Sequence, residues 1–190
     1  LRELADSAVS RNDAQILEVI DAAISESRSR AGKWIACRAG CSECCYAAFP
    51  VTALDTERLQ RGLATLDSAR AEAIRERARR YVEAILLEFP GEWQSGRLDD
   101  NDEWRDWFFA RMKGRAACPA LDEARGECEL YEHRPVACRV YGHLIQIGET
   151  APGMCRLCVV GAQAQEIEAA RVRVEDAAAI DETGLADGET

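Results

Sequence analysis

Residues 37–45 read Cys37-Arg-Ala-Gly-Cys41-Ser-Glu-Cys44-Cys45, which places four thiols within nine residues. Five more cysteines follow further along the chain, at Cys118, Cys128, Cys138, Cys155 and Cys158. Thiolates are soft ligands that select zinc, copper(I) or iron–sulfur clusters. Two Cys-x2-Cys pairs, Cys41/Cys44 and Cys155/Cys158, have the spacing at which a tight turn brings two sulfurs to one metal. The sequence therefore predicts a metal site where two cysteine-bearing loops converge.

Charge and composition limit the classes of partner. The 190 residues carry 24 Lys and Arg against 34 Asp and Glu, for a formal net charge of −10. A phosphate backbone selects the opposite sign, so we expect no nucleic-acid partner. No run approaches the roughly 20 apolar residues that span a bilayer, so we expect no membrane partner. The odd cysteine count and the lack of a secretion signal favour a cytoplasmic protein with reduced thiols.

Apolar periodicity and capping residues predict a mainly α, small helical domain. Helices are expected over 12–31, 52–66, 67–89, 102–113 and 162–179. The sequence between 120 and 147 predicts turns and a minor β piece, with a single helical turn opened by Pro135. We expect one metal-binding domain over 1–180, with a cysteine-cluster core at about 35–158. Residues 181–190 carry four acids and no base, and they are expected to form a disordered acidic tail.

Basic residues near the thiols are candidates for tuning the site. Arg134 and Arg139 flank Cys138 and could donate hydrogen bonds to an anionic thiolate cluster, or could form surface ion pairs with Glu129 or Glu132. Nearby His133 is expected to be exposed or held in a turn, because the thiols suffice as ligands. Five arginines between 70 and 80 alternate with glutamates, and this pattern is typical of a solvated helix face.

The cysteine segments resemble a known family. Residues 37–45, then Cys118-Pro-Ala-Leu121, then Cys128-Glu-Leu-Tyr-Glu-His-Arg-Pro-Val-Ala-Cys138-Arg139 are similar to the cysteine-cluster family with a C-x2-C-x2-C-C motif. This family is described as a zinc- or iron-chelating domain and also occurs within flagellin lysine-N-methylases. The resemblance implies that the ligands include Cys41, Cys44, Cys45, Cys118, Cys128 and Cys138. Cys155 or Cys158 resembles the last cysteine, and one extra residue separates Cys37 from Cys41.

Three functions follow from these residues, and the sequence identifies no catalytic residue. The first is an iron–sulfur protein in redox or electron transfer, favoured by the surplus of thiols and the adjacent Cys44 and Cys45. The second is a zinc-stabilised structural module that binds a protein partner. The third is a metal-dependent enzyme or enzyme subunit. The spacing of Cys37, Cys41 and Cys44 also matches radical enzymes that use S-adenosylmethionine, but those need strands alternating with helices.

Overall fold

A computed structural model describes residues 2–38, 40–46, 51–85, 91–92, 94–98, 116–148 and 155–174. This part of the chain is mainly α-helical, which confirms the predicted class. Its helices are α1 (Arg2–Ala31), α2 (Ala53–Thr65), α3 (Ser68–Ile85), α4 (Val136–Val140) and α5 (Ala164–Ala169). Short 3-10 turns cover Gly32–Trp34, Glu43–Tyr46 and Tyr131–His133. Among the described helices, none is long and apolar enough to cross a membrane.

The strands are short and pair two by two. They are β1 (Gly91–Glu92), β2 (Arg97–Leu98), β3 (Leu121–Asp122), β4 (Glu127–Cys128), β5 (Ile145–Ile147) and β6 (Val172–Val174). Strands β1 and β2 pair antiparallel, as do β3 and β4, in which Leu121 lies opposite Cys128. Strands β5 and β6 pair in parallel. The predicted β piece is therefore present as the β3–β4 hairpin and strand β5.

The chain divides into two compact units. Unit 1 comprises Leu1–Arg38, Pro50–Leu59 and Arg134–Thr190, and unit 2 comprises Ala39–Phe49 and Gln60–His133. The single metal-binding domain over 1–180 stays a prediction. The helix expected at 102–113 and the tail expected at 181–190 lie outside the described residues.

The core of unit 1 forms around α1. Ile16 and Ile20 are fully buried and belong to an apolar cluster with residues of α4, β5 and β6. The members from these three elements are Val136, Val140, Ile145 and Val172. Burial of a Val or Ile side chain contributes about 1.5–3 kcal/mol to folding. This cluster therefore fixes α4, which carries Cys138, against α1.

A buried ion triad completes this packing. Arg58 of α2 pairs with both Asp13 and Asp55, and all three side chains are at most 5% exposed. Asp55 also accepts a 3.0 Å hydrogen bond from the backbone N–H of Val136, and Arg58 donates to the carbonyl oxygen of Arg134. The one guanidinium thus pairs with both buried carboxylates, and the triad holds the first residues of α4.

The predicted starts of helices α2 and α3 are confirmed. Thr52 and Asp55 form a reciprocal capping box, in which each side chain accepts the other residue's backbone N–H. Asp67 accepts the backbone N–H of Arg70 at 3.0 Å, as a capping residue does. Pro135 precedes α4, as expected for a proline that opens a helical turn. Local side-chain chemistry is sufficient to define these boundaries.

At Val172–Val174 the helix predicted over 162–179 is wrong, and residues 175–179 lie outside the described residues. Helix α5 has six residues, and Val172–Val174 form β6, whose pairing with β5 sets Val172 opposite Ile145. Alternating β-branched residues favour a strand, and Val172 is buried in the unit 1 core. Tertiary pairing therefore overrides the helical periodicity of this segment.

Candidate metal centre

In unit 2 the first cysteine segment lies against the β3–β4 hairpin. The backbone N–H of Cys118 donates a 2.7 Å hydrogen bond to the carbonyl oxygen of Cys45. The Tyr46 hydroxyl donates to a Glu123 carboxylate oxygen at 3.3 Å. A Cβ placed on Gly126, whose φ is +69°, would lie only 3.4 Å from the Gly40 carbonyl oxygen. Two cysteine-bearing loops that are distant in sequence therefore meet within this unit.

Four thiols share one neighbourhood around Cys45. The pKa of the Cys45 thiol is raised far above its usual value, first by a hydrogen bond with Cys44 and then by burial. The negative charges that Cys44, Cys118 and Cys128 carry when ionised raise it further. Like charges disfavour each other's ionised forms at short range, and a bound cation reverses this effect. The cluster is thus chemically suited to a cation.

Cys118 has the surroundings of a thiolate ligand. The pKa of the Cys118 thiol is raised overall, first by burial and also by the neighbouring Cys44, and this rise is partly offset by the amides of Ala120 and Leu121 and by the charge of Arg77. Amide hydrogen bonds to sulfur stabilise the anionic form and tune a bound metal. The Cys118-Pro-Ala-Leu turn therefore provides donors directed at the sulfur.

Arg77 of α3 links the two cysteine-bearing parts of the hairpin. Its Nε donates to the Pro119 carbonyl oxygen at 2.7 Å, and its terminal nitrogen pairs with the Glu129 carboxylate. These two partners directly follow Cys118 and Cys128 in sequence. The expectation of a solvated arginine face is therefore wrong for Arg77, because its contacts are made with the hairpin.

The other arginines of α3 differ in their surroundings. Arg79 pairs with Glu72 and Glu76 and is 55% exposed, as expected for a solvated face. Arg75 and Arg80 also pair within the helix, with Glu72 and Glu76 respectively. Arg70 resembles Arg77 in reaching Glu129, at 3.3 Å.

The remaining cysteines lie in unit 1. Cys37 follows the 3-10 turn after α1, and Cys138 lies on α4; both are partly exposed. Cys155 and Cys158 are buried and form a tight turn, with the N–H of Cys158 donating to the Cys155 carbonyl oxygen at 2.9 Å. A Cβ on Gly142 would lie 3.3 Å from the Cys158 sulfur. The Cys-x2-Cys turn expected from the sequence is therefore present at this second pair.

Arg134 and Arg139 also lie in unit 1, and their role toward a metal stays a prediction. The Arg139 side chain is 7% exposed; it donates to Asp21 at 3.1 Å and to the Arg134 carbonyl oxygen at 3.2 Å. That carbonyl also accepts from Arg58 at 3.3 Å. Both residues thus belong to the polar network at the start of α4.

The two histidines have different environments. His133, in unit 2, packs against Gly62 of α2, where an added Cβ would lie 2.7 Å from the His133 Cβ and Cγ. His143, in unit 1, is 5% exposed, and its Nδ1 has no hydrogen-bond partner among the described residues. Burial, followed by the charges of Arg28 and Arg134, lowers its pKa to about 4. Sequence reasoning missed His143; the only signal was its place just before the apolar strand β5.

The chemistry of the donors fits zinc or iron, although the ligands are not preassembled. None of the nine cysteines forms a disulfide. In the described part of the chain, no three His, Cys, Asp or Glu side chains are arranged as a ready site for one ion. Metal sites often assemble only as metal binds.

Fold and thiol clustering together define a small, mainly α-helical cysteine-cluster protein. A family model described as "Putative zinc- or iron-chelating domain" matches residues 36–156. The chain belongs to this family, CxxCxxCC. No curated protein and no solved structure matches it significantly.

Proposed function

We propose that unit 2 binds iron or zinc through the thiolates of Cys44, Cys45, Cys118 and Cys128, with Cys41 at the edge of the site. The observation that carries this proposal is the effect of three neighbouring thiols on the pKa of Cys45. The hydrogen bond between the Cys118 amide and the Cys45 carbonyl supports it, because it holds both segments together without metal. Cys37, Cys138, Cys155 and Cys158 are proposed as further ligands in unit 1.

The bound group we favour is an iron–sulfur cluster that serves electron transfer. The adjacent Cys44 and Cys45 thiols are hydrogen-bonded to each other, so they would serve neighbouring iron atoms of one cluster. Such a cluster supplies one-electron chemistry at a potential tuned by its surroundings. The chain's part is to half-bury Cys118, to place the amides of its turn nearby and to set the charge of Arg77 beside it. These features would stabilise an anionic cluster.

Zinc is the second candidate, and the bound protein would then be a structural module for a protein partner. The number of thiols around Cys45, counting Cys45 itself, is four, which equals the ligand count of a closed tetrahedral zinc site. Reduced thiols support a reducing compartment such as the cytoplasm. The acidic charge supports a partner other than nucleic acid.

Elemental analysis of anaerobically purified protein, with a visible spectrum of the same sample, tests the proposal. Iron with acid-labile sulfide and brown colour would establish the cluster, whereas colourless protein with stoichiometric zinc would establish the module. Cys118→Ser should lose metal, and Ser42→Ala, which lies in the other cysteine segment of unit 2 and removes no thiol, should keep it. Wild-type protein that holds neither metal, even after anaerobic reconstitution, would overturn the proposal.

A further inference from the structure

Arg77 of α3 contacts the residues that follow two of the cysteines of unit 2. Arg77 makes one hydrogen bond to the residue after Cys118 and one to the residue after Cys128. The side chain of Glu129 is 14% exposed and that of Arg77 is 33% exposed, so this pair is partly shielded from water. Ion pairs in such positions fix geometry better than fully exposed ones do.

We infer that Arg77 is a positioning residue of the metal centre, which clamps the Cys118 turn to the Cys128 strand and sets a fixed positive charge beside their thiolates. This inference rests on the proposed function of unit 2. It extends that function to a residue that supplies no ligand atom. Arginine suits the task because its planar fork can serve a carbonyl and a carboxylate at once.

The positive charge of Arg77 should favour metal binding, as its contacts do. Each thiolate ligand adds negative charge to a chain whose formal net charge is already −10. The hydrogen bond to the Pro119 carbonyl oxygen holds the Arg77 guanidinium beside the Cys118 turn, where its positive charge offsets part of that negative charge. Loss of Arg77 should therefore weaken metal binding in two ways. The segments that carry Cys118 and Cys128 would be held less firmly, and the negative charge of the thiolates would be less well balanced.

Helix α3 offers a matched control. Arg79 lies two residues away and carries the same charge. Among the described residues it forms ion pairs with Glu72 and Glu76 of its own helix. Arg77→Gln and Arg79→Gln change the net charge equally and remove an arginine from the same helix. A difference between these variants therefore reports the contacts of Arg77 and not the loss of charge from the protein as a whole.

The test measures Co²⁺ affinity by chelator competition and records the thiolate-to-cobalt charge-transfer band of each variant. Arg77→Gln should weaken Co²⁺ binding at least tenfold and reduce the band per bound ion, and Arg79→Gln should stay within twofold of wild type. Thermal unfolding of each variant in excess chelator separates loss of folding from loss of metal. Arg77→Lys, which keeps the charge but not the fork, should fall between the two.

The outcomes distinguish failure of the proposed role of Arg77 from failure of the proposed thiolate centre. Wild-type protein that binds Co²⁺ through thiolates while Arg77→Gln and Arg79→Gln bind equally well would overturn the role of Arg77 alone. Wild-type protein that gives no charge-transfer band and holds no iron or zinc would overturn the proposed thiolate centre and, with it, this inference. If wild type holds iron and not Co²⁺, equal iron content in Arg77→Gln and Arg79→Gln would overturn the role of Arg77. If Arg77→Gln does not fold, Arg77→Lys with unchanged affinity and band would overturn the clamp.

Discussion

The backbone N–H of Cys118 donates to the carbonyl oxygen of Cys45 at 2.7 Å, so the two cysteine segments of unit 2 are joined through main-chain atoms. A main-chain link survives replacement of either thiol. Variants of these cysteines should therefore test metal ligation without dismantling the meeting of the two segments.

Replacing Cys44 or Cys128 by Ala should release metal and lower the melting temperature of the metal-loaded protein. Both thiols lie in the neighbourhood of Cys45, and a folded state that binds metal is stabilised by it. Cys37→Ala, outside this neighbourhood in unit 1, should have a milder effect. Metal content and thermal unfolding, measured on the three proteins, provide the check. Full metal content in either of the first two would show that the ligand assignment is wrong.

Removing Arg58 should destabilise the protein strongly. Arg58→Ala leaves Asp13 and Asp55 buried without their cation, and breaking a buried pair in this way costs about 3–5 kcal/mol. Urea denaturation should show the loss as a lower midpoint. Arg79→Ala, which removes an exposed arginine, should leave the midpoint nearly unchanged. Equal midpoints in the two variants would contradict the energetic role of the triad.

Stability should fall with acid in a window set by His143. Its pKa is about 4 in the folded chain against an ordinary value of 6.5, so the unfolded chain binds the proton first as pH falls. The contribution is therefore fully present above about pH 6.5 and declines toward pH 4, by up to about 3 kcal/mol. Denaturation of metal-free protein at several pH values measures it. His143→Gln should flatten the dependence of stability on pH in this window; a dependence equal to that of wild type would refute the assignment.

Gly62→Ala should destabilise α2 although alanine is the better helix former. The helix preference for Ala over Gly is about 0.5–1 kcal/mol, but the added Cβ would meet His133 at 2.7 Å. Overpacking of this kind costs about 1–3 kcal/mol. In a double-mutant cycle, His133→Gly, which removes the Cβ as well as the ring, should relieve the penalty and uncover the helix preference. A stabilised single variant would mean that His133 moves aside freely.

Local signals in the sequence were sufficient for the starts of α2 and α3 and for the Cys155/Cys158 turn, but not for α1, which begins at Arg2 and not at residue 12. Thr52 and Asp55 lie three residues apart, and the capping box they form depends on nothing beyond that turn. Cys155 and Cys158 likewise close their own turn. The meeting of the two cysteine segments was also expected, because thiols that gather on turns in two places suggest a shared site.

Contacts between residues far apart in the sequence could not be predicted from local patterns. Helical spacing does contain a hint for Arg77, which lies three residues after the buried Ile74 and therefore faces the hairpin side of α3. The identity of its partner Glu129 depends on how the chain folds back. The same holds for β6, which looks helical in isolation and becomes a strand because β5 offers an edge.

Unit 1 is built from segments that lie far apart in the sequence, and this affects the order in which its core forms during synthesis. Ile16 and Ile20 are covered by Val136, Val140, Ile145 and Val172, which leave the ribosome much later. At about 5–20 residues per second, the apolar face of α1 stays uncovered for on the order of ten seconds during synthesis. A nascent chain with such a delay is a natural client for chaperones that hold exposed helices.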